Sequence, residues 1–133
     1  MLKPSLIRFP SFSEDNGSLS VFESGKEVPF LIQRVFTVTA NVNDIRGEHS
    51  HRKCSQLLIC VNGKIKVTCD NGSSKSEFDL EKMSDGLLIP PGIWATQAYV
   101  NENSVLMVLC DRGYEAEDYI REYSDFLEWV RNK

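Results

Sequence analysis

The 133-residue chain carries 41 % hydrophobic residues and a formal net charge of −4 at pH 7. That is enough apolar material for one compact core and too little positive charge for a protein whose main task is to neutralise nucleic-acid phosphates. No stretch approaches the roughly 18 consecutive apolar residues of a membrane-spanning helix, and Met1-Leu2-Lys3-Pro4-Ser5-Leu6 lacks the apolar core of a signal peptide. A single cytoplasmic domain over residues 1–133, with neither nucleic acid nor membrane as partner, is the expectation.

Taken in chain order, runs rich in β-branched and aromatic residues predict strands at Ser18 to Phe22, Phe30 to Thr39, Cys54 to Val61, Lys64 to Cys69, Gly86 to Ile89 and Val105 to Cys110. Asn16-Gly17, Asn62-Gly63 and Asn71-Gly72 lie beside these runs, and Asn-Gly is the strongest short-range hairpin signal because both residues accept positive φ. The pattern predicts an all-β sandwich or barrel built from antiparallel hairpins. From Glu115 to Arg131 the period changes: Tyr119, Ile120, Tyr123, Phe126, Leu127 and Val130 fall at helical spacing, with acids early and Arg131 and Lys133 late. A C-terminal amphipathic helix at about 115–131 is predicted, its aromatic stripe packed on the sheet. Cys54, Cys60, Cys69 and Cys110 show no Cys-x-x-Cys spacing and read as reduced core thiols.

The only two histidines, His49 and His51, are spaced by two within Arg46-Gly47-Glu48-His49-Ser50-His51. On a strand, alternate side chains share a face, so both imidazoles project from one surface. Such a pair suits acid/base chemistry near pH 7 or metal ligation. Strand alternation puts Lys53 on the histidine face and Arg46 and Arg52 on the other, provided no bulge intervenes.

His49-x-His51, four residues, Gln56, six residues and Gly63 resemble the first motif of the cupins, with Gln56 where a glutamate is usual. Gly86 to Ala95 resembles the second, with Ala95 where a histidine is usual. The resemblance implies a small cupin barrel whose ligands sit inside. Metal-binding cupins usually draw on two histidines and a glutamate from the first motif and a histidine from the second. With Gln56 and Ala95 in those places, two ligands are missing, and a metal-free site without cofactor is expected.

Within the cupins, a closer likeness spans nearly the whole chain. Arg46-Gly47-x-His49-x-His51-Arg52-Lys53, Gln56-Leu57-Leu58-Ile59-Cys60-Val61-x-Gly63, Ile89-Pro90-Pro91-x-x-Trp94 and Glu117-Asp118-Tyr119-Ile120-Arg121-x-Tyr123-x-x-Phe126 resemble the sugar-nucleotide 3,4-ketoisomerases. The resemblance implies an enzyme that moves the carbonyl of dTDP-4-keto-6-deoxyglucose from C4 to C3, without a metal, on the way to deoxyamino sugars of surface polysaccharides such as O-antigen. It implies His49 as the principal base and His51 as a proton shuttle, an order of roles that the sequence itself leaves open. It also implies a homodimer whose N-terminal strands pair across subunits. Arg46 and Lys53 are candidate diphosphate contacts, Gln56 a candidate sugar partner, and Trp94 a candidate stacking ring or a filler of the barrel mouth. Thr37 stands where the family usually has a tyrosine, and Asn16 where it usually has a larger or charged residue; both positions are expected substrate contacts. A cupin module that binds a sugar nucleotide without turning it over is the alternative.

Overall fold

A computed structural model describes residues 3–133. Twelve strands form in chain order: β1 (Ser5–Arg8), β2 (Ser11–Glu14), β3 (Gly17–Ser20), β4 (Arg34–Thr39), β5 (Ile45–His51), β6 (Gln56–Asn62), β7 (Ile65–Asp70), β8 (Lys75–Leu80), β9 (Asp85–Ile89), β10 (Trp94–Tyr99), β11 (Val105–Cys110) and β12 (Tyr119–Ile120). A helix, α1 (Tyr123–Arg131), closes the chain. Two five-stranded antiparallel sheets, ordered β1-β9-β6-β11-β4 and β12-β5-β10-β7-β8, lie face to face, and β2-β3 forms a separate hairpin. This is the all-β, cupin-like architecture expected from the sequence.

The core lies between the sheets, where Leu58, Cys60, Leu87, Leu106, Val108 and Cys110 of the first meet Ile65, Val67, Cys69, Ala95 and Tyr99 of the second. The first sheet also buries its outer face. Leu57, Ile59 and Leu109 point away from the second sheet and are covered by Phe9 and Val28, with Phe22, Phe30 and Ile32 packed alongside. Double-sided burial explains why β6 reads as an unbroken apolar run rather than an alternating one. All four cysteines are free and buried, as expected.

Three local expectations change. Asn71-Gly72 does lie in the loop of an antiparallel pair, β7 and β8, whereas the turn between β2 and β3 is Asp15-Asn16, with Gly17 paired to Glu14 as the first residue of β3. Asn62-Gly63 joins no hairpin, because β6 and β7 belong to different sheets. Gly63 (φ 81) turns the corner between them against the Ser104 backbone, whose Cα lies 2.8 Å from where a Cβ would stand. The strand expected from Phe30 begins only at Arg34, since Phe30 and Ile32 are spent on covering the outer face.

The third change is in the tail. Helix α1 starts at Tyr123, not near 115; Ala116–Asp118 forms one 3-10 turn, and Tyr119 and Ile120 pair with His51 and Ser50 along the edge of β5. The aromatic stripe packs as expected: Phe126 is fully buried, and Trp94 sits against Tyr123 and Phe126 with ring centroids 5.3 and 5.8 Å away.

Candidate active site

Both histidines leave the end of β5 toward the inter-sheet space, where they line a narrow cavity with Cys54, Gln56, Ile89, Pro90, Ile93, Ala95 and Gln97. Their ring centroids are 5.0 Å apart and nearly perpendicular, so the shared face inferred from the His-x-His spacing is present. His51 is buried and His49 half-buried nearer the opening.

Hydrogen bonds settle the tautomers. The Gly47 carbonyl can only accept, so His49 Nδ1, 2.9 Å away, donates and leaves Nε2 as a bare acceptor. His51 Nδ1 lies 2.9 Å from Asp118 Oδ2. Burial alone would raise the Asp118 carboxyl, yet the His51 hydrogen bond and the Lys53 N–H, 2.6 Å from Oδ1, hold it below the usual carboxylate value. An ionised carboxylate only accepts, so His51 also carries its proton on Nδ1, and its buried Nε2 has no hydrogen-bond partner. Burial pushes His49 down to about 4, against the opposing Gly47 bond, and lowers His51 despite the carboxylate behind it. Two neutral imidazoles that line one cavity thus each keep an Nε2 lone pair free.

Asp118 and its neighbours lie in the Glu117 to Phe126 segment that carries part of the family resemblance, but helical periodicity assigns that segment to the tail helix and gives it no place in the site. Asp118 is 67 residues from His51 and reaches it only because β12 pairs with β5. The same pairing sets Tyr119 opposite His51, its ring 4.4 Å from His51 and 5.1 Å from His49. Arg34, at the start of β4, donates from a guanidinium nitrogen to the Tyr119 hydroxyl at 3.2 Å, and Arg121 lies 4.3 Å over the Tyr119 ring. None of these was singled out as a site residue from sequence.

The other expected contacts scatter. Gln56 is at the cavity, its amide 3.5 Å from the Cys110 sulfur. A bulge does intervene in β5: Gly47 (φ 88) and Glu48 (φ 55) together oppose one residue of β10, so Arg46 pairs with Gln97, whose side chain faces inward. Register therefore moves Arg46 to the histidine face, opposite to the expectation from alternation, though toward the far, exposed end of the strand. A Cβ on Gly47 would lie 2.8 Å from the Gln97 amide and 2.9 Å from the Ala95 carbonyl, which only glycine permits. Lys53 is exposed and contributes only its backbone N–H to Asp118, and Arg52 donates to the Glu117 and Tyr119 carbonyls, pinning β12.

Trp94 belongs to the outer face of its sheet. It pairs with Asp70 and packs on α1, while its neighbour Ala95 faces the histidines, so it neither stacks in the cavity nor fills its mouth. Thr37 alternates with the inward Phe36 and Val38 and stands exposed on the outer face of the first sheet, away from His49 and His51. Asn16 sits at the exposed tip of the β2-β3 hairpin.

His51, Cys54 and Asp118 offer ligand atoms within 4.8 Å of one another. They fit a metal poorly. The Asp118 oxygens already accept from His51 Nδ1, the Lys53 N–H and, at 3.3 Å, the Cys54 N–H, and the neighbouring Cys110 thiol, with burial, raises the Cys54 thiol further from the thiolate a metal needs. Ala95 and Gln56, in the places where cupins carry ligands, add no imidazole or carboxylate.

The comparisons agree with this geometry. The family model described as FdtA: WxcM-like, C-terminal, matches residues 2–131. A TDP-4-oxo-6-deoxy-alpha-D-glucose-3,4-oxoisomerase of Aneurinibacillus thermoaerophilus is 32 % identical over 130 residues, 97 % of this chain and 94 % of that protein. The chain belongs to the sugar-nucleotide 3,4-ketoisomerases. Among solved members, the 3,4-ketoisomerase QdtA of Thermoanaerobacterium thermosaccharolyticum in complex with TDP is 32 % identical with a TM-score of 0.93, covering 97 % of this chain and 95 % of its own. A histidine-to-asparagine mutant of that ketoisomerase in complex with TDP-4-keto-6-deoxyglucose gives a TM-score of 0.95 at 32 % identity, covering 100 % of this chain and 98 % of the mutant's.

Proposed function

We propose that this ketoisomerase moves the carbonyl of dTDP-4-keto-6-deoxyglucose from C4 to C3. The observation that carries the reading is the pair of neutral imidazoles lining one cavity with Nε2 atoms free of hydrogen-bond partners, the inner one backed by an ionised carboxylate. A base near C3 takes the proton, the electrons form an enediolate across C3 and C4, and a proton returns at C4; each such transfer by a positioned group is typically worth about 10² to 10⁴-fold. The cavity itself has about 10 Å³ of free space, about one water's worth, so the sugar ring lies across its mouth. His49, nearer the opening, then meets C3 as the base, and His51 with Asp118 relays protons from below. Arg121, exposed at the mouth beside Tyr119, is the cation best placed for the diphosphate, ahead of Lys53 and Arg46.

A binding module without turnover would have no need to fix both tautomers, so catalysis is the better reading. The chain works as a single domain and as a homodimer: Phe12 (60 % exposed) and Leu19 (61 %) on the β2-β3 hairpin are apolar surface that a second copy would cover. Four reduced thiols fit a cytoplasmic enzyme, and its product would feed deoxyamino sugars of surface polysaccharides such as O-antigen. The test is incubation with dTDP-4-keto-6-deoxyglucose in deuterated water, following loss of the C3 proton. Wild type exchanges and isomerises, and His49→Asn, which folds and binds, does neither. No exchange by the wild type, or unchanged exchange by the variant, rejects the reading.

A further inference from the structure

When the base takes the C3 proton, negative charge develops on the C4 oxygen, and a catalyst gains most by placing a donor there. Neither histidine can serve at that moment: both Nε2 atoms are acceptors, and both Nδ1 protons are committed, to Gly47 O and Asp118. The family tyrosine expected at position 37 is absent, and Thr37 faces outward in any case. Yet a phenol does stand at the histidines. Tyr119 touches both imidazoles, and its oxygen accepts a hydrogen bond from Arg34, which leaves its own proton free to point elsewhere.

Arg34 is held for this purpose. Its guanidinium lies 4.5 Å from the Phe36 ring centroid and 5.2 Å from that of Tyr114, and it reaches Tyr119 across the gap between β4 and β12, the edge strands of the two sheets. With Arg121 4.3 Å over the Tyr119 ring and Arg34 hydrogen-bonded to its oxygen, two guanidinium groups flank one phenol.

We propose that Tyr119 is a catalytic acid that donates its proton to the C4 oxygen, and that Arg34 is a positioning residue that supports the phenolate left behind. The inference rests on the ketoisomerase reading. The imidazole takes the C3 proton, the C–H pair forms the C3=C4 bond, and the carbonyl pair moves to the C4 oxygen, which takes the Tyr119 proton. The C3 hydroxyl then returns its proton to the phenolate as its lone pair becomes the new carbonyl, and C4 takes the proton that His49 removed from C3, handed on through Nε2 of His51, whose Nδ1 proton Asp118 holds. The sum moves one hydrogen from C3 to C4 and one from the C3 oxygen to the C4 oxygen, with no outside reactant.

The test is kinetic. Tyr119→Phe keeps the ring against both imidazoles and deletes only the hydroxyl; kcat should fall about 10² to 10³-fold with KM and TDP affinity nearly unchanged. Arg34→Gln should show the same split, and Arg34→Lys, which restores a charged donor, should recover part of the loss. A kcat within a few-fold of wild type in Tyr119→Phe overturns the proposal; should that variant fail to fold, an unchanged kcat in Arg34→Gln does so instead. A wild type without turnover overturns this and the ketoisomerase reading together, whereas turnover that His49→Asn abolishes and Tyr119→Phe spares overturns this alone.

Discussion

Replacing Asp118 by Asn tests the relay at its buried end. The side chain accepts three hydrogen bonds, from His51 Nδ1 at 2.9 Å, the Lys53 N–H at 2.6 Å and the Cys54 N–H at 3.3 Å. An amide offers one accepting oxygen and one donating nitrogen. If the oxygen keeps the Lys53 N–H, the NH₂ group faces His51 Nδ1 and forces the proton to Nε2, so the relay atom can no longer accept. If the amide flips, two donors meet at Lys53. Either arrangement loses at least one charge-assisted bond in a site where both partners are nearly buried, about 1.5–3 kcal/mol, or roughly 4–15 °C in Tm for a domain of this size. The tautomer change should lower kcat by about 10² to 10⁴-fold, since it removes one positioned proton carrier. Asp118→Ala, which strands all three donors, should be less stable still. The assay is thermal melting beside steady-state kinetics on dTDP-4-keto-6-deoxyglucose. Wild-type kcat in a folded Asp118→Asn would refute the argument that His51 acts through Nε2.

Stability should fall in acid. His49, at about 4, and His51 have folded values below the unfolded 6.5, so the unfolded chain binds more protons between those limits; the contribution is complete above pH 6.5 and is lost as pH falls through about 4, which urea melts across that range would show as a declining midpoint. Asp118, also depressed, adds a loss of the same sign at lower pH, and its part should vanish in Asp118→Asn. Thr37→Tyr should leave turnover near wild type, because the new ring lies on the outer face of the first sheet; a large gain would show that Thr37 reaches a site in the assembled protein.

Local physics made some of this protein legible without coordinates. β7, β9 and β11 were readable because β-branched apolar runs bounded by turn residues have few alternatives to a buried strand. The His-x-His pair shares a face because strand periodicity is two, and that holds wherever the strand lies. The Asn71-Gly72 hairpin follows from the positive φ that Gly72 takes and from Asn71 Oδ1, which accepts from the Ser73 and Ser74 N–H groups.

Only the tertiary structure decided what those elements meet. Gly63 and Gly72 both take positive φ, at 81 and 95, but whether the next strand pairs back or crosses to the other sheet depends on which faces must be buried. Tyr119 and Ile120 fit the helical period of the tail, yet the open edge of β5 offers them backbone hydrogen bonds and a covered face, and they go there as a strand. Gly47 within a strand was a readable sign of a bulge, although its consequence, the transfer of Arg46 to the other face, needed the register of β10. Asp118 reaches His51 over 67 residues and Arg34 reaches Tyr119 over 85. Composition and periodicity act over one or two turns of chain, so the two imidazoles were in reach of the sequence, while the carboxylate, phenol and guanidinium around them were placed by the pairing of sheet edges.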